Sequence, residues 1–94
     1  MNERIMQLRE KVGYTQAALA KKLSVTRSAV NAWEMGLSTP TTQYVVAMAR
    51  LFHVTTDYLL GLDNRLTLTL EGYSQTEIEL IYQLLQYMDI KKQN

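Results

Sequence analysis

The sequence predicts an all-α chain, with five short helices in residues 1–61 and a C-terminal extension in residues 62–94. In the first two-thirds of the chain, apolar residues recur at spacings of three and four, the period of an amphipathic helix. Helix-capping residues precede several of these stretches, and glycine follows three of them. We therefore expect one folded domain and an appendage that contains a short strand or extended segment and one more helix.

Start and stop signals place the five helices of the domain. The first three are expected at residues 3–12, 16–23 and 27–35, with Thr15 and Thr26 as caps of the second and third. The fourth, at about 41–52, follows Pro40, whose missing N–H costs little at a helix start. The fifth, at 57–60, is capped by Thr56 and closed by Gly61. Helices this short are unstable alone, so their mutual packing must hold them.

After Gly61 the pattern changes. Residues 66–70 read Leu-Thr-Leu-Thr-Leu, the period-two alternation of a strand with one apolar face. Ser74 and Glu77 then match a capping box, which predicts a helix from Gln75 to about residue 90. The apolar residues of that helix fall on two stripes, which are Ile78, Ile81, Leu85 and Met88 on one side and Leu80, Leu84 and Tyr87 on the other.

A helix with two apolar stripes has more surface to bury than its own domain needs, which favours contact with a second copy of the chain. We expect a homodimer held mainly by the stripe Ile78, Ile81, Leu85 and Met88, with Leu66, Leu68 and Leu70 as candidates for strand pairing across the two-fold axis. Two alternatives stay open: the helix folds back over its own domain, or the segment 66–70 is extended without pairing.

Composition and charge narrow the class of function. The net charge is +1 overall, but +3 in residues 1–61 and −2 in residues 62–94. This asymmetry favours a polyanion as the partner of residues 1–61, and the alternative is an accidental distribution of surface charges. There is no cysteine, no second ligand near the single histidine His53, and no paired-carboxylate or nucleophile–base set. We therefore expect no metal, no cofactor, no small-molecule ligand and no enzyme activity. The absence of a leader and of an apolar run of about 18 residues indicates a soluble cytoplasmic protein, not a membrane one.

The segment from Gln16 to Met35 predicts a function. Two short helices are joined by the tight turn Ser24-Val25, with Ala20 where the helices approach closely, which is the sequence form of a helix-turn-helix. The second helix of such a motif enters the DNA major groove. Its predicted exposed positions are Arg27, Ser28, Asn31 and Ala32. Arginine pairs well with guanine and asparagine with adenine, so these positions are candidates for base contacts.

Residues 13–20 (GYTQAALA), 29–36 (AVNAWEMG) and 52–61 (FHVTTDYLLG), with Pro40 between them, resemble the phage repressor/Cro family, also called Xre-type regulators. The resemblance covers residues 1–61. It implies a lambda-repressor-like five-helix domain and phosphate contacts at Gln16 and Thr26. It also implies a structural ion pair between Arg9 and Glu34, which ties the first helix to the third.

Two positions depart from the family pattern. The turn residue that is often glycine in relatives is Ser24, at some cost in backbone strain. The loop after the recognition helix reads Leu37-Ser38-Thr39, where relatives often carry lysine or arginine for the phosphate backbone. Ser38 and Thr39 would then contact DNA through hydroxyl and backbone groups. We therefore expect modest affinity per monomer and a strong reliance on dimerisation.

Together these observations predict a sequence-specific regulator of bacterial transcription that is associated with the nucleoid. It would act as a repressor by binding a palindromic double-stranded operator as a homodimer. Two other functions stay open. One is the antitoxin of a toxin–antitoxin operon, and the other is a protein-interaction module, such as an anti-repressor, that keeps the fold without binding DNA.

Overall fold

The computed structural model describes residues 1–93, which form six α-helices and no strand. Asn94, the last residue of the predicted extension, lies outside the described residues. The helices are α1 (Asn2–Lys11), α2 (Gln16–Leu23), α3 (Arg27–Glu34), α4 (Thr42–Phe52), α5 (Thr56–Leu60) and α6 (Gln75–Gln93). The predicted all-α class, with five short helices and a sixth in the extension, is confirmed.

Threonine side chains are the N-caps of three helices. The side chains of Thr15, Thr26 and Thr55 accept hydrogen bonds from the N–H groups three residues on, at 3.0, 3.1 and 3.1 Å. The assignment of the last cap to Thr56 was wrong by one residue. Thr55 has the extended backbone of a cap, and Thr56 is already the first residue of α5. Adjacent threonines give the same sequence signal, so only backbone geometry separates them.

The five short helices enclose one hydrophobic core. Its members come from α1 to α5 and the turn before α5, and they are Ile5, Leu8, Leu19, Ala20, Val30, Trp33, Val45, Met48, Ala49, Phe52, Val54 and Leu59. Trp33 stacks at a tilt on Tyr44 of α4, with ring centroids 5.5 Å apart. Among the described residues no member of this core lies beyond Leu59, so the described part of the extension contributes no side chain to it.

The turn between α2 and α3 fixes how the two helices meet. Ser24 adopts the left-handed conformation (φ 57°, ψ 42°), and the N–H of Val25 donates to the carbonyl of Ala20 at 3.0 Å. Ala20 is buried, so its small side chain lets α3 approach closely. Because Ser24 has a Cβ, this conformation carries the strain that glycine would avoid. Within the α2–α3 turn, Ser24 is therefore the residue that carries the predicted backbone strain.

Residues 66–70 form no regular secondary structure, and within the described part of the chain they pair with no strand. The segment is held by the C-terminal end of α4 instead. The N–H of Thr69 donates to the carbonyl of His53 at 3.0 Å, and the Tyr73 hydroxyl lies 3.1 Å from His53 Nε2, with the two rings stacked at 5.0 Å. The alternating pattern therefore does not form a strand among the described residues, and a segment docked on His53 stands in its place.

Helix α6 begins with the capping box that the sequence predicts. The N–H of Ser74 donates to Glu77 Oε1 at 2.8 Å, and the N–H of Glu77 donates to Ser74 Oγ at 3.2 Å. Ile78 and Ile81 are half-buried, whereas the large apolar residues from Leu80 to Ile90, apart from Ile81, are exposed. The helix therefore does not fold back over the domain. No helix among residues 1–93 is long and apolar enough to cross a membrane.

Candidate DNA interface

A buried ion pair forms the base of the helix-turn-helix. Arg9 Nε lies 2.6 Å from Glu34 Oε2, and Arg9 Nη2 lies 3.1 Å from Glu34 Oε1, so two parallel hydrogen bonds join α1 to the end of α3. The Glu34 side chain is fully buried, and the Arg9 side chain is 11% exposed. The hydrogen bond to Glu34 raises the pKa of Arg9, against the opposing effect of burial. This is the pair that the family resemblance implies.

Gln16 extends the ion pair towards the surface. Its Nε2 donates to Glu34 Oε1 at 3.0 Å and to Asn31 Oδ1 at 3.2 Å. The first residue of α2 is therefore tied to two residues of α3 by side-chain hydrogen bonds. The arrangement continues from Arg9 through Glu34 and Gln16 to Asn31, and we call these four residues the polar relay.

The outer face of α3 carries the predicted base-reading positions. Arg27 and Ser28 are exposed, and Asn31 and Ala32 are half-buried, whereas Val30, Trp33 and Glu34 face the core. Most side chains of the outer face are short, so the helix can approach a groove closely, and Arg27 is its one long cation. The structure brings the four positions together on one surface.

The two ends of α3 carry further predicted contacts. Thr26 is exposed, but its hydroxyl already accepts the N–H of Ala29, so a phosphate would meet its hydroxyl hydrogen or the free backbone N–H groups of the first turn. Ser38 and Thr39 are exposed in the loop beyond α3. Leu37 is 78% exposed in the same loop, where its N–H donates to the carbonyl of Ala32.

The positive charges divide into structural and free groups. Arg4 donates to the carbonyl of Tyr58 at 2.6 Å and lies over the Tyr58 ring at 4.1 Å, so it ties α1 to α5. Arg9 is committed to Glu34. Lys21, Lys22 and Arg27 are exposed at the junction of α2 and α3. Three of the exposed cations of the domain therefore lie at the helix-turn-helix, and two more, Lys11 and Arg50, lie on α1 and α4.

Sequence reasoning missed the bond between Gln16 and Asn31. Both residues were assigned to DNA separately, one to phosphate and one to bases. The signal that could have linked them is Glu34, one turn after Asn31 on α3. An amide group has two amino hydrogens, so the Gln16 amide can donate to the Glu34 carboxylate and to the Asn31 side chain at the same time. Among residues 1–93, no group of three potential ligands is placed to hold a metal ion.

Comparison with known proteins shows the family to which this domain belongs. A family model described as helix-turn-helix matches residues 5–59. The HTH-type transcriptional activator BcrR of Enterococcus faecalis is 35% identical over 81 residues, which are 86% of this chain and 39% of that protein. The HTH-type transcriptional regulator ImmR of Bacillus subtilis is 35% identical over 67% of this chain and 50% of its own. The chain thus spans half or less of the length of these relatives.

Solved structures agree with the fold. The P22 c2 repressor in complex with a synthetic operator is 34% identical, with a TM-score of 0.62 over 66% of this chain and 94% of that one. A chain of the SinR/SinI protein complex is 26% identical, with a TM-score of 0.60 over 99% of this chain and 98% of that one. The chain belongs to the helix-turn-helix family of Xre-type, phage repressor/Cro-like transcriptional regulators.

Proposed function

We propose that this protein is a sequence-specific regulator of transcription that binds a palindromic operator as a homodimer and represses by occluding the promoter. The observation that carries the proposal is the exposed face of α3, with Arg27, Ser28, Asn31 and Ala32 held on the polar relay. A similar domain is solved in complex with a synthetic operator. A protein of this function works on the nucleoid in the bacterial cytoplasm.

Each DNA contact has a physical basis. Arg27 has the fork geometry that recognises the two acceptors of guanine, and Asn31 projects beside it one turn later. The first-turn N–H groups at Gln16 and Thr26 have no intrahelical acceptors, and the positive end of a helix dipole attracts phosphate. Ser38 and Thr39 extend the phosphate contact as neutral hydroxyl donors, while Lys21 and Lys22 supply long-range attraction.

The proposed homodimer rests on the surface of α6. Leu80, Leu84, Leu85, Tyr87 and Ile90 are each more than half exposed, a large apolar area for a soluble chain. A second copy is the simplest occupant, because a closed two-fold pair can bury the predicted stripe of both chains, which is Ile78, Ile81, Leu85 and Met88, together with its exposed apolar neighbours. The palindrome follows, since two identical domains related by a two-fold axis read two inverted half-sites about 34 Å apart.

A second candidate function has one observation in its favour. One structural match that includes the extension comes from a complex of two proteins, SinR and SinI. Helix α6 could then hold a different protein, as an antitoxin holds a toxin or an anti-repressor holds a repressor. The charges at the α2–α3 junction favour the regulator, because a module without DNA binding has no need of exposed Lys21, Lys22 and Arg27 there.

Selection from random duplex DNA tests the DNA-binding part of the proposal. The full chain should enrich an inverted repeat with half-site centres about one helical turn apart. Arg27→Ala should weaken binding of the selected site by roughly 1–3 kcal/mol and relax one position in each half-site. Lys11→Ala, which removes an exposed cation on α1, is the matched control and should leave the consensus intact. A consensus unchanged by Arg27→Ala would contradict the role given to Arg27.

Analytical ultracentrifugation tests the dimer. Leu85→Glu should convert the chain to a monomer, because a charge would have to be buried in the interface. Gln86→Glu adds the same charge at the next position, outside the proposed stripe, and should leave a dimer. A full-length chain that stays monomeric at tens of micromolar would favour the second candidate, in which α6 binds another protein.

A further inference from the structure

The stripe of α6 that holds the proposed dimer has the repeat of a coiled coil. Spacings of three, four and three residues separate its members, which are Ile78, Ile81, Leu85 and Met88. These are the core spacings of a heptad. The first two members are half-buried and the last two are exposed, so each has surface that a partner helix can cover. Two helices with such a core can pair parallel or antiparallel, and the core alone does not distinguish the two.

A row of residues on one flank of this stripe carries an orientation signal. It consists of Glu77, Leu84 and Lys91, so that an acidic, an apolar and a basic residue follow one another at intervals of seven. All three are exposed, and the capping bond of Glu77 uses only the oxygen Oε1 of its carboxylate. Charges at such flanking positions determine the partner and the orientation of helices in coiled coils.

An antiparallel pair satisfies every residue of this flank. When the two cores run in opposite directions, the layer of Ile78 contains Met88 of the second copy, and each flank lies beside the same flank of the second copy. Glu77 then lies beside Lys91 of the second copy, and Leu84 lies beside its own counterpart. Because the pair is symmetric, the contact between Glu77 and Lys91 forms twice.

A parallel pair leaves the same charges without opposite partners. Each flank would then lie beside the opposite flank of the second copy, in which Gln75, Tyr82 and Asp89 follow one another at intervals of seven. Glu77 would face Tyr82, and the apolar Leu84 would face the carboxylate of Asp89. In the antiparallel pair Tyr82 meets its own counterpart and Asp89 meets the amide of Gln75. Charge complementarity therefore favours the antiparallel orientation.

The spacing of a palindromic operator favours the same orientation. In an antiparallel pair the two starts of α6, at Gln75, lie on opposite sides of the two-fold axis and about 25 Å apart, at about 1.5 Å of helix per residue. In a parallel pair they would lie about 10 Å apart, the distance between packed helix axes. Each domain is attached near this start, because Thr69 and Tyr73 bind His53. The antiparallel distance is closer to the roughly 34 Å between half-sites.

We propose that α6 binds α6 of a second copy in antiparallel orientation, with the two-fold axis at the height of Gln83 and with Glu77 paired to Lys91 of the second copy. The inference rests on the homodimer of the proposed function and adds the orientation and the charged contacts. The occupant is a second copy because one flank supplies both the acid and the base. A helix complementary to it must carry the same order of residues in reverse, which the chain itself provides.

Cysteine cross-linking tests the orientation, since the chain has no cysteine of its own. In an antiparallel dimer the two copies of position 78 lie about 15 Å apart along the helices, as do those of position 88, which is too far for a disulfide. Ile78→Cys and Met88→Cys should therefore each stay uncross-linked under mild oxidation, whereas the double variant should form a covalent dimer. Gln83→Cys, exposed on the opposite face of α6, is the matched control for random collisions.

A charge reversal tests the contact between Glu77 and Lys91. Glu77→Lys places like charges together in the antiparallel dimer, and adding Lys91→Glu to it restores opposite charges. Both variants lack the capping carboxylate of Glu77, so the effect of that loss on the helix cancels. The dissociation constant of the dimer, from analytical ultracentrifugation, should be about 3- to 10-fold lower for the double variant. In a parallel dimer these positions lie about 20 Å apart along the helices, and the two constants should be equal.

The outcomes separate the orientation from the dimer itself. Disulfide dimers of Ile78→Cys alone or of Met88→Cys alone, or equal dissociation constants in the charge reversal, would overturn the antiparallel pair. Should the cysteine variants fail to dimerise, the charge reversal still decides, because it leaves the core stripe unchanged. A parent chain that stays monomeric at tens of micromolar refutes the homodimer of the proposed function, which is a different result from a dimer of the wrong orientation.

Discussion

Residues 1–61 and residues 62–93 follow the same rules of local structure but differ in what covers their apolar side chains. In the first region Ile5, Leu19 and Met48 are fully buried, and α1 to α5 share one core. In the second, α6 has a complete capping box and nineteen helical residues, yet Leu80 is 61% exposed. Capping and periodicity are therefore enough to define a helix, but they do not determine what it packs against.

The difference also separates two kinds of polar contact. The domain has a hydrogen-bonded ion pair in its interior, where the side chains of Arg9 and Glu34 are shielded from water. The extension keeps its charges at the surface, as in the 3.8 Å pair of its Glu71 with Arg50 of α4, in which both side chains are about 70% exposed. Exposed pairs of this kind contribute little to stability. The two regions should therefore respond very differently to substitution.

The largest expected effect comes from cutting the chain at the boundary. A chain that ends at Gly61 should stay folded, because within residues 1–93 no core residue lies beyond Leu59, but it should be monomeric and lose most specific DNA binding. Circular dichroism, ultracentrifugation and gel shifts on a selected operator check the three statements. An unfolded truncation would show that the extension contributes to the core after all, and the comparison between the regions would fail.

The second effect concerns the buried charges. Glu34→Gln should lower the free energy of unfolding by about 3–5 kcal/mol, because Arg9 would be left as a partly buried cation without a counter-charge. Glu10→Gln is a matched control on the same arginine. The Glu10 carboxylate lies 3.8 Å from Arg9 but is 64% exposed, so its loss should cost less than about 1 kcal/mol. Urea titrations of both variants give the difference, and equal midpoints would refute it.

The third effect is smaller, and it increases the free energy of unfolding instead of lowering it. Ser24→Gly should stabilise the domain by up to about 1 kcal/mol, since glycine relieves the left-handed strain of the α2–α3 turn although it adds freedom to the unfolded chain. The same substitution within α3, Ser28→Gly, should destabilise by roughly 0.5–1 kcal/mol. Thermal melting of the two variants should show shifts in opposite directions, and a lower melting temperature for Ser24→Gly would contradict the argument.

The smallest effect is the pH response of α6. Hydrogen bonding from the backbone N–H of Ser74, and then from its side chain, lowers the pKa of Glu77 below its ordinary value of 4.5. A lowered pKa in the folded state means that the capping box stabilises the helix fully above pH 4.5, and that this contribution disappears as the pH falls through the lower value. Helicity of the full chain, followed by circular dichroism, should decrease there.

Glu77→Gln separates this effect from general acid unfolding. Glutamine can complete a capping box but does not titrate, so the variant should keep its helicity over the same interval. A helicity profile identical in the parent and the variant would show that Glu77 does not contribute to the acid response.

Much of the domain could be predicted because the helix-end signals in its sequence agree with the burial of the apolar stripes between them. Thr15, Thr26 and Gly36 mark helix ends, and the stripes between them become the core. The extension was harder, because Leu66, Leu68 and Leu70 have the pattern of a strand without the partner that a strand needs. The segment has no regular secondary structure and docks through Thr69, whose bond to His53 depends on the path of the chain and has no local pattern.

The candidate site shows the same limit. Residue type and spacing are enough to predict that Arg27, Ser28 and Asn31 lie on one face of α3. The link from Gln16 to Asn31 was missed because it joins two helices and depends on the buried position of Glu34. A hydrogen-bond direction that is determined by a third residue cannot be inferred from either partner alone.

The docked linker has a consequence for how the proposed regulator could change in evolution. The N–H groups of Leu62 and Asp63 bond to the carbonyl of Asp57 in α5, and Thr69 and Tyr73 are attached at His53, so that residues 64–68 form a loop between two fixed points. Insertions in such a loop cost little and would leave the half-site spacing of the dimer unchanged. Insertions between Thr69 and Ser74 would rotate α6 against the domain. In the proposed dimer, operator spacing and base preference would thus be encoded in separate segments and could diverge independently.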